Sequence, residues 1–487
     1  MNGQAVESVA ALIEWDLAVL IAVAVYAAAA LCAVYAIHSS RTPQSAMAWS
    51  IALIAIPFVT IPLYLVFGRN RFYGYVRAHR SAIARASPQV RAILENLAGH
   101  AAPAPAPLAP LFETVRRLTG LPFSTGNTAE VLIDAEATYD RMIAAIEAAE
   151  DYVLLQSYIV RADTAGLRFR DALVARAAAG VRVHFLFDEI GSVRLPNGYL
   201  RTLRQAGIHV TGFKTARRLG TRWQINFRNH RKVLVVDGRT AFLGGLNIGD
   251  EYLGRNRRLG AWRDTHLRLT GPSVQMVQLA FAEDWFWAEQ ELPQLRWDAA
   301  PNPQGGATAT VVRTGPADEN PACELLHVEA FAAANRRLWI AVGYFVPDEP
   351  VMLALQRAAL RGVDVRVLIP RKSDSRLAWI ASFNYLPALM QAGVKVFHYT
   401  EGTMHQKVML IDDRLAGVGS CNLDNRSLHI NFEITALVAD LAFAGDIERM
   451  LEADFARATQ LRPSDLEDKS GWFWLLARAV NLAAPIL

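Results

Sequence analysis

The chain has 487 residues, more than one ordinary domain requires. It is 52% hydrophobic, high for a wholly soluble enzyme, and its formal charge of only +4, with pI near 9.0, singles out neither anionic lipid nor nucleic acid as a partner. Three cysteines, Cys32, Cys323 and Cys421, form no CxxC pair, which argues against a disulfide framework or a zinc site and fits a reducing compartment.

Two apolar runs come first. Leu17 to Ile37 is nearly unbroken, and Ala46 to Phe67 is interrupted by Pro57 and Pro62. Each is long enough to cross a bilayer as a helix, which takes roughly 20 residues. A cleaved signal peptide is disfavoured, because Glu7, Glu14 and Asp16 precede the first run and the run is too long for a signal core. Residues 1–70 therefore predict a two-helix transmembrane hairpin, about 17–37 and 46–67, around a short loop that holds Arg41. Arg69, Arg71, Arg77 and Arg80 follow the second span. By the positive-inside rule, both the N-terminus and the bulk of the chain face the cytoplasm, as in a multi-pass membrane protein. Residues 71–110 read as a basic helix and then a semi-rigid Pro/Ala linker.

From about 111 the chain repeats itself. VLLQSYIV (153–160) parallels WIAVGYFV (339–346). AAAGVRVHFLFD (177–188) parallels AALRGVDVRVLIP (358–370), and RQAGIHV (204–210) parallels MQAGVKV (390–396). Apolar strands alternating with amphipathic helices, among them 137–149, 167–179 and 350–361, predict two tandem α/β domains at 111–295 and 308–465. RWDAAPNPQGGAT is the linker between them.

Each repeat ends in the same motif. NHRKVLVVDGRTAFLGGLN holds His230, Lys232, Asp237, Gly245 and Asn247; HQKVMLIDDRLAGVGSCN holds His405, Lys407, Asp412, Ser420 and Asn422. One residue separates His from Lys, four separate Lys from Asp, and six separate Asp from the Gly-Gly or Gly-Ser pair, in both copies. A lone HxK is noise, but two matched copies are a signal. Residues two apart on a strand share a face, so each His and its Lys project together. An imidazole can attack phosphorus or move protons near neutral pH. The lysines and asparagines supply donors to phosphate oxygens, and the small pair lets the backbone approach. No metal or other cofactor is required, because the lysines provide the positive charge. Asp237 and Asp412 stand at an odd offset from the lysines, so the pleat turns them away from the phosphate and into the turn. Cys421 reads as a packing residue, because Leu246 stands there in the first copy.

The last segment, SGWFWLLARAVNLAAPIL (470–487), is too short to span. It reads as a membrane-interfacial helix with its tryptophans at headgroup level, the alternative being a helix docked on the core.

The paired motifs resemble the phospholipase D superfamily, whose members carry two such HKD motifs. NHRKVLVVDGRTAFLGGLNIGDEYLG, WRDTH, GYFVPDEP, RGVDVRVLIP and GSCNLDNRSLHINFE look like bacterial cardiolipin synthases. The resemblance covers nearly the whole chain. It implies two phospholipase-D-like domains sharing one active site, and joining of two phosphatidylglycerol molecules into cardiolipin with release of glycerol. It implies that His230, Lys232, Asp237, His405, Lys407 and Asp412 form the catalytic set, with His230 as nucleophile and His405 as general acid and then base; the near-symmetric motifs themselves do not order the two. It also implies orienting carboxylates: Glu433 in NFE for the second half and Asp264 in WRDTH for the first. Gln156 and the MHQK context of His405 depart from the family's usual acidic and HAK forms, outside the motif positions.

Lys214, Arg217, Arg218, Arg222, Arg228, Arg255, Arg257 and Arg258 crowd the first motif. Beside a phosphate site and a membrane anchor, they fit anionic lipid headgroups at the bilayer. Water or another alcohol as acceptor would make a phospholipase D or a headgroup-exchanging enzyme. A nuclease of the same fold is disfavoured by the anchor and by basic runs without interleaved aromatics, so no nucleic acid is expected. Oligomeric state is not legible.

Overall fold

The computed structural model describes residues 3–40, 42–68, 75, 87–213, 226–298 and 300–486. Arg41, Arg69, Arg71, Arg77 and Arg80, which carry the orientation, and Lys214, Arg217, Arg218 and Arg222 lie outside the described residues. The chain forms two compact units: residues 1–72 with 215–227, and residues 73–214 with 228–487.

In the first unit the helix Gly3–Ser39 carries the first apolar run. Its stretch Asp16–Ser39 is the one helix among the described residues long and apolar enough to cross a membrane. The second run forms two short helices rather than one, Pro43–Ala55 and Pro57–Phe67, broken at Ile56. Pro57 has no N–H to continue the ladder, and its ring crowds the preceding turn. Thr60 Oγ1 bridges the break by donating to Ala52 O at 3.0 Å. Ala29, Ala33 and Ala36 let the helices approach closely, packing against Leu53 and Tyr64. Leu20, Val23, Leu31, Val34 and Ile37 stay exposed, as lipid-facing residues do.

The second unit is built on one sheet of 16 strands. Both repeats contribute strands in the same spatial order. In the first, from the centre outward, these are Ser124–Ile133, Thr265–Thr270, Thr240–Gly244, Val233–Val236, Tyr152–Ser157, Arg182–Asp188 and His209–Phe213. In the second they are Ala307–Thr314, Asn431–Ala439, Leu415–Gly419, Lys407–Ile411, Arg337–Val342, Asp364–Pro370 and Lys395–Tyr399, with Ala458–Gln460 added at the edge. The innermost strands of the two halves pair antiparallel, Ser124 opposite Ala309, so the sheet runs through the whole unit. The outer three strands of each half are parallel, as is the short strand Arg228–Asn229 against Asn431–Phe432, and the rest are antiparallel. Helices Asp134–Glu147 and Thr164–Ala178 start three residues earlier than their apolar periodicity indicates, and Glu349–Leu360 one residue earlier. Asp163 and Asp348 cap the latter two by accepting from Gly166 N and Val351 N, each at 3.1 Å.

Each motif strand is one arm of a hairpin. Val233–Val236 pairs with Thr240–Gly244, and Lys407–Ile411 with Leu415–Gly419. Asp237 and Asp412 open the two turns with φ of 53° and 54°. That left-handed region is one Asp tolerates better than most side chains.

The linear division at 111 places the helix Ala109–Thr119 with the first half. Its apolar face, Leu111, Phe112 and Val115, instead packs with Leu326, Phe331 and Leu338 of the second. The segment around Ala307 is a strand in the shared sheet, so the halves do not part at the linker.

Candidate active site

His230 and His405 line one cavity of about 340 Å³, together with Asn247, Asn422, Tyr158 and Tyr344. Each histidine precedes its motif strand, in a segment that crosses to the other half. Arg228–Asn229 pairs in parallel with Asn431–Phe432, and His230 N donates to Phe432 O at 2.9 Å. Thr403–Met404 pairs in parallel with Trp262–Arg263, and His405 N donates to Arg263 O at 2.8 Å.

This crossing decides which carboxylate meets which imidazole. Glu433, from the second half, takes both oxygens to 2.9 Å from His230 Nδ1. Asp264, from the first half, places Oδ2 2.9 Å from His405 Nδ1. The reading that each carboxylate serves its own half is corrected: the partners are exchanged, because each strand entry docks against the opposite motif. A carboxylate on Nδ1 holds that nitrogen's proton and leaves Nε2 unprotonated in the neutral ring. Burial pushes His230 down to about 4; Glu433 opposes this, and Lys232 adds to it. Burial and Lys407 push His405 down as well, against Asp264. Both rings are therefore neutral at pH 7. Burial raises Glu433 and Asp264, but their histidines and the neighbouring lysines pull both carboxyls below the usual range.

The small pair serves these carboxylates. A Cβ on Gly245 would meet Asp264 Oδ1 at 2.0 Å, so only glycine leaves room for it. Ser420, its counterpart, donates Oγ to Glu433 Oε2 at 2.5 Å. The expected role in backbone approach to phosphate is corrected for these two residues, because the carboxylate occupies that space.

Lys232 Nζ donates to His230 O at 2.6 Å, and Lys407 Nζ to His405 O at 2.5 Å. Burial pushes both ammonium groups down, Lys232 strongly. Asn247 accepts from Ile159 N at 3.0 Å and donates to Tyr252 Oη at 3.2 Å. Asn422 Oδ1 is buried with no hydrogen-bond partner among the described residues.

Asp237 and Asp412 do not line the cavity. Asp237 accepts from Glu150 N, Asp151 N and Tyr152 N at 2.8–2.9 Å. Asp412 accepts from Asn335 N, Arg336 N and Arg337 N at 2.8–3.3 Å. Their place in a catalytic set is corrected to that of turn anchors, tying each hairpin to the neighbouring strand.

The residue between His and Lys clamps the halves. Arg231 pairs with Asp284 at 2.9 Å and donates to Glu433 O and Thr314 O across the interface. Gln406 bonds Thr265 and Asp454. Gln156 bonds Asn229 and Asp284, so both departures from the family pattern sit in this buried network.

Sequence reasoning missed several lining residues. Tyr158 stands 5.0 Å from the His230 ring, Tyr344 5.7 Å and Trp262 5.2 Å from the His405 ring. The tyrosines hold matching positions in the two repeats, a signal that was available. Asp374 and Arg426 had none. Cys323 and Cys421, remote in sequence, bring their sulfurs to 3.0 Å beside His327. The second unit's C-terminal helix, Gly471–Asn481, docks Phe473, Trp474 and Ala477 inward and exposes Trp472, Leu475 and Leu476.

Residues 142–285 and 328–455 match the family model described as "Cardiolipin synthase, PLD-like domain", and 27–69 match "Phospholipase_D-nuclease N-terminal". The chain is 43% identical to cardiolipin synthase A of Pseudomonas entomophila strain L48, covering 94% of this chain and 96% of the relative. It is 45% identical to cardiolipin synthase A of Pseudomonas aeruginosa strain LESB58, covering 93% of each. Among solved structures, phosphatidylserine synthase of Haemophilus influenzae Rd KW20 shares the fold, with TM-score 0.60 at 15% identity over 78% of this chain and 100% of that one. On the strength of the family model and these relatives, the chain belongs to the cardiolipin synthase family of phospholipase-D-like enzymes.

Proposed function

We infer that this membrane-associated enzyme transfers a phosphatidyl group from one phosphatidylglycerol to another, giving cardiolipin and glycerol. Family membership supplies the reaction class. The single observation that carries the mechanism is the exchange of orienting carboxylates: two histidines, each buttressed from the opposite half, face one cavity.

In the first step His230 Nε2 attacks the donor phosphorus. The bond to the glycerol oxygen breaks, and that oxygen leaves with a proton from His405. The bound phosphodiester brings a negative charge beside both rings, which favours the protonated His405 that the step needs. In the second step a hydroxyl of the acceptor lipid attacks the phosphohistidine, giving its proton to His405. The new P–O bond forms as the N–P bond breaks and its electron pair returns to His230. Lys232, Lys407, Asn247 and Asn422 would hold the non-bridging oxygens, with the Asn422 Nδ2–H turning to donate to them. Glu433 and Asp264 position the histidines.

We place residues 111–295 and 308–465 as the two phospholipase-D-like halves, completed by the exchanged helix Ala109–Thr119. We also propose that the apolar hairpin anchors the protein by two passes, with the catalytic unit on the cytoplasmic side. The outward Trp472, Leu475 and Leu476 would rest at the bilayer surface.

The test is product analysis with headgroup-labelled phosphatidylglycerol in mixed micelles, using wild type, His230→Ala and His405→Ala. Cardiolipin plus free glycerol from wild type, and neither from the variants, is the expected outcome. Phosphatidic acid as the main product would make this a hydrolase instead.

A further inference from the structure

The two motifs treat the site symmetrically, but the rest of the cavity wall does not. On the His230 side stand Arg228 and Arg426. On the His405 side stand Asp374, Ser375 and Tyr344, with Tyr344 Oη donating to Asp374 Oδ2 at 2.7 Å. Tyr158 and Tyr344 are repeat counterparts, but Arg228 and Arg426 act on Tyr158 beside Asp188, whereas Tyr344 is bonded to Asp374.

The two arginines come from opposite halves. Arg228 stands two residues before His230, on the short strand that pairs with Asn431–Phe432. Arg426 lies in Asn425–His429, directly after the second motif. Burial and the charge of Arg228 push Arg426 below its ordinary value, against Tyr158, Asp424 and Asp188, which stand near the pair. Asp188 accepts from Ile190 N, Gly191 N and Asn229 N at 2.8–3.0 Å. Asp424 caps Ser427 N at 2.6 Å and is pushed up to about 7 by burial and Glu433.

Two guanidinium groups converging on one cavity are suited to a phosphodiester. We propose that Arg228 and Arg426 form a second phosphate subsite, which holds the phosphodiester of the acceptor lipid while its glycerol hydroxyl meets the phosphohistidine. The inference rests on the transfer reaction above and adds what selects the acceptor. Water and neutral alcohols lack the second phosphate, so they gain nothing from the pair. The acidic wall with Asp374 repels a phosphate and can accept from glycerol hydroxyls, which turns the acceptor one way round.

The experiment compares water-soluble acceptors, with labelled phosphatidylglycerol as donor in mixed micelles. Glycerol and glycerol 3-phosphate offer the same hydroxyls without and with a phosphate. Wild type should use glycerol 3-phosphate with kcat/KM higher by roughly tenfold or more, the scale of a charge-assisted contact. Arg228→Gln and Arg426→Gln should each shrink that ratio, with partial recovery in Arg426→Lys. A ratio is unmoved by general loss of folded enzyme. No preference in wild type, or an unchanged ratio in both variants, would overturn the proposal. So would inhibition of glycerol 3-phosphate transfer by equimolar inorganic phosphate as strong as that by unlabelled glycerol 3-phosphate, which would mark a general anion site. Cardiolipin from phosphatidylglycerol alone is measured in parallel. Its absence alongside an intact acceptor ratio would sink the cardiolipin reading and leave the subsite standing.

Discussion

Glu433 and Asp264 touch no substrate in the proposed chemistry, yet each fixes one imidazole. Glu433→Gln keeps the size and two hydrogen-bonding atoms but loses the charge that stabilises an imidazolium on His230. We expect kcat to fall by roughly 10²–10⁴-fold, with KM little changed. A change confined to KM would refute the positioning role. The histidines also make stability depend on pH. Burial pushes His184, His230 and His398 down to about 4, and His266 to about 3. The unfolded chain, with ordinary imidazoles near 6.5, then takes up protons before the folded chain does. Stability is thus full above about pH 6.5 and is lost as pH falls from there toward 4. Thermal midpoints measured between pH 7 and 5 should decline, and His398→Phe should flatten the decline. A midpoint independent of pH in that window would show these rings to be solvated. The motif residues were legible because spacing repeats in the sequence. Which carboxylate serves which histidine was not: His230 and Glu433 are 203 positions apart, and only the strand pairing across the halves decides it.

The hairpin explains why each motif ends in Asp. Asp237 and Asp412 satisfy three backbone amides each from a left-handed position. Asp237→Ala leaves part-buried and buried donors unpaired and strains the turn. The expected cost is roughly 2–4 kcal/mol of stability. Asp412→Ala frees amides that are mostly exposed and costs less. Thermal unfolding and turnover per folded enzyme separate the roles. A large loss of turnover with an unchanged midpoint would return these residues to the chemistry. The odd offset along the strand already pointed away from the phosphate, so this element was readable. The C-terminal helix was less so. Its residues are apolar nearly all round, and periodicity could not divide Phe473 and Val480, which pack inward, from Trp472, Leu475 and Leu476, which face out. Asn384 Nδ2 donates to Ala477 O, and Tyr385 Oη donates to Asn481 Oδ1, both at 2.9 Å, so the helix is held to the body on one side. Trp472→Glu with Leu476→Glu should weaken binding to anionic vesicles several-fold and leave the thermal midpoint in place. Unchanged vesicle binding would make the outer face incidental.

At the scale of the whole molecule the halves are joined by more than a shared cavity. Arg263 reaches from the first half to Asp454 of the second with two contacts of 2.8 Å, both side chains buried. Arg231 reaches the other way, to Glu433 O and Thr314 O. Removing one partner of such a buried pair leaves an uncompensated charge, so Asp454→Ala should cost about 3–5 kcal/mol. The same joints bear on how the site is assembled. One sheet passes from one repeat into the other, and the helix Ala109–Thr119 is already exchanged within the chain. The second half of every site is therefore supplied by the same chain that supplies the first. It follows that His230→Ala and His405→Ala chains, produced together and purified as a mixture, should show no more activity than either alone. Each chain brings one intact histidine, but the two would lie in different cavities. Recovery toward about a quarter of wild type would mean that halves exchange between chains, the statistical share of sites that draw an intact histidine from each. That result would move the exchanged carboxylates from an intrachain device to the interface of a dimer.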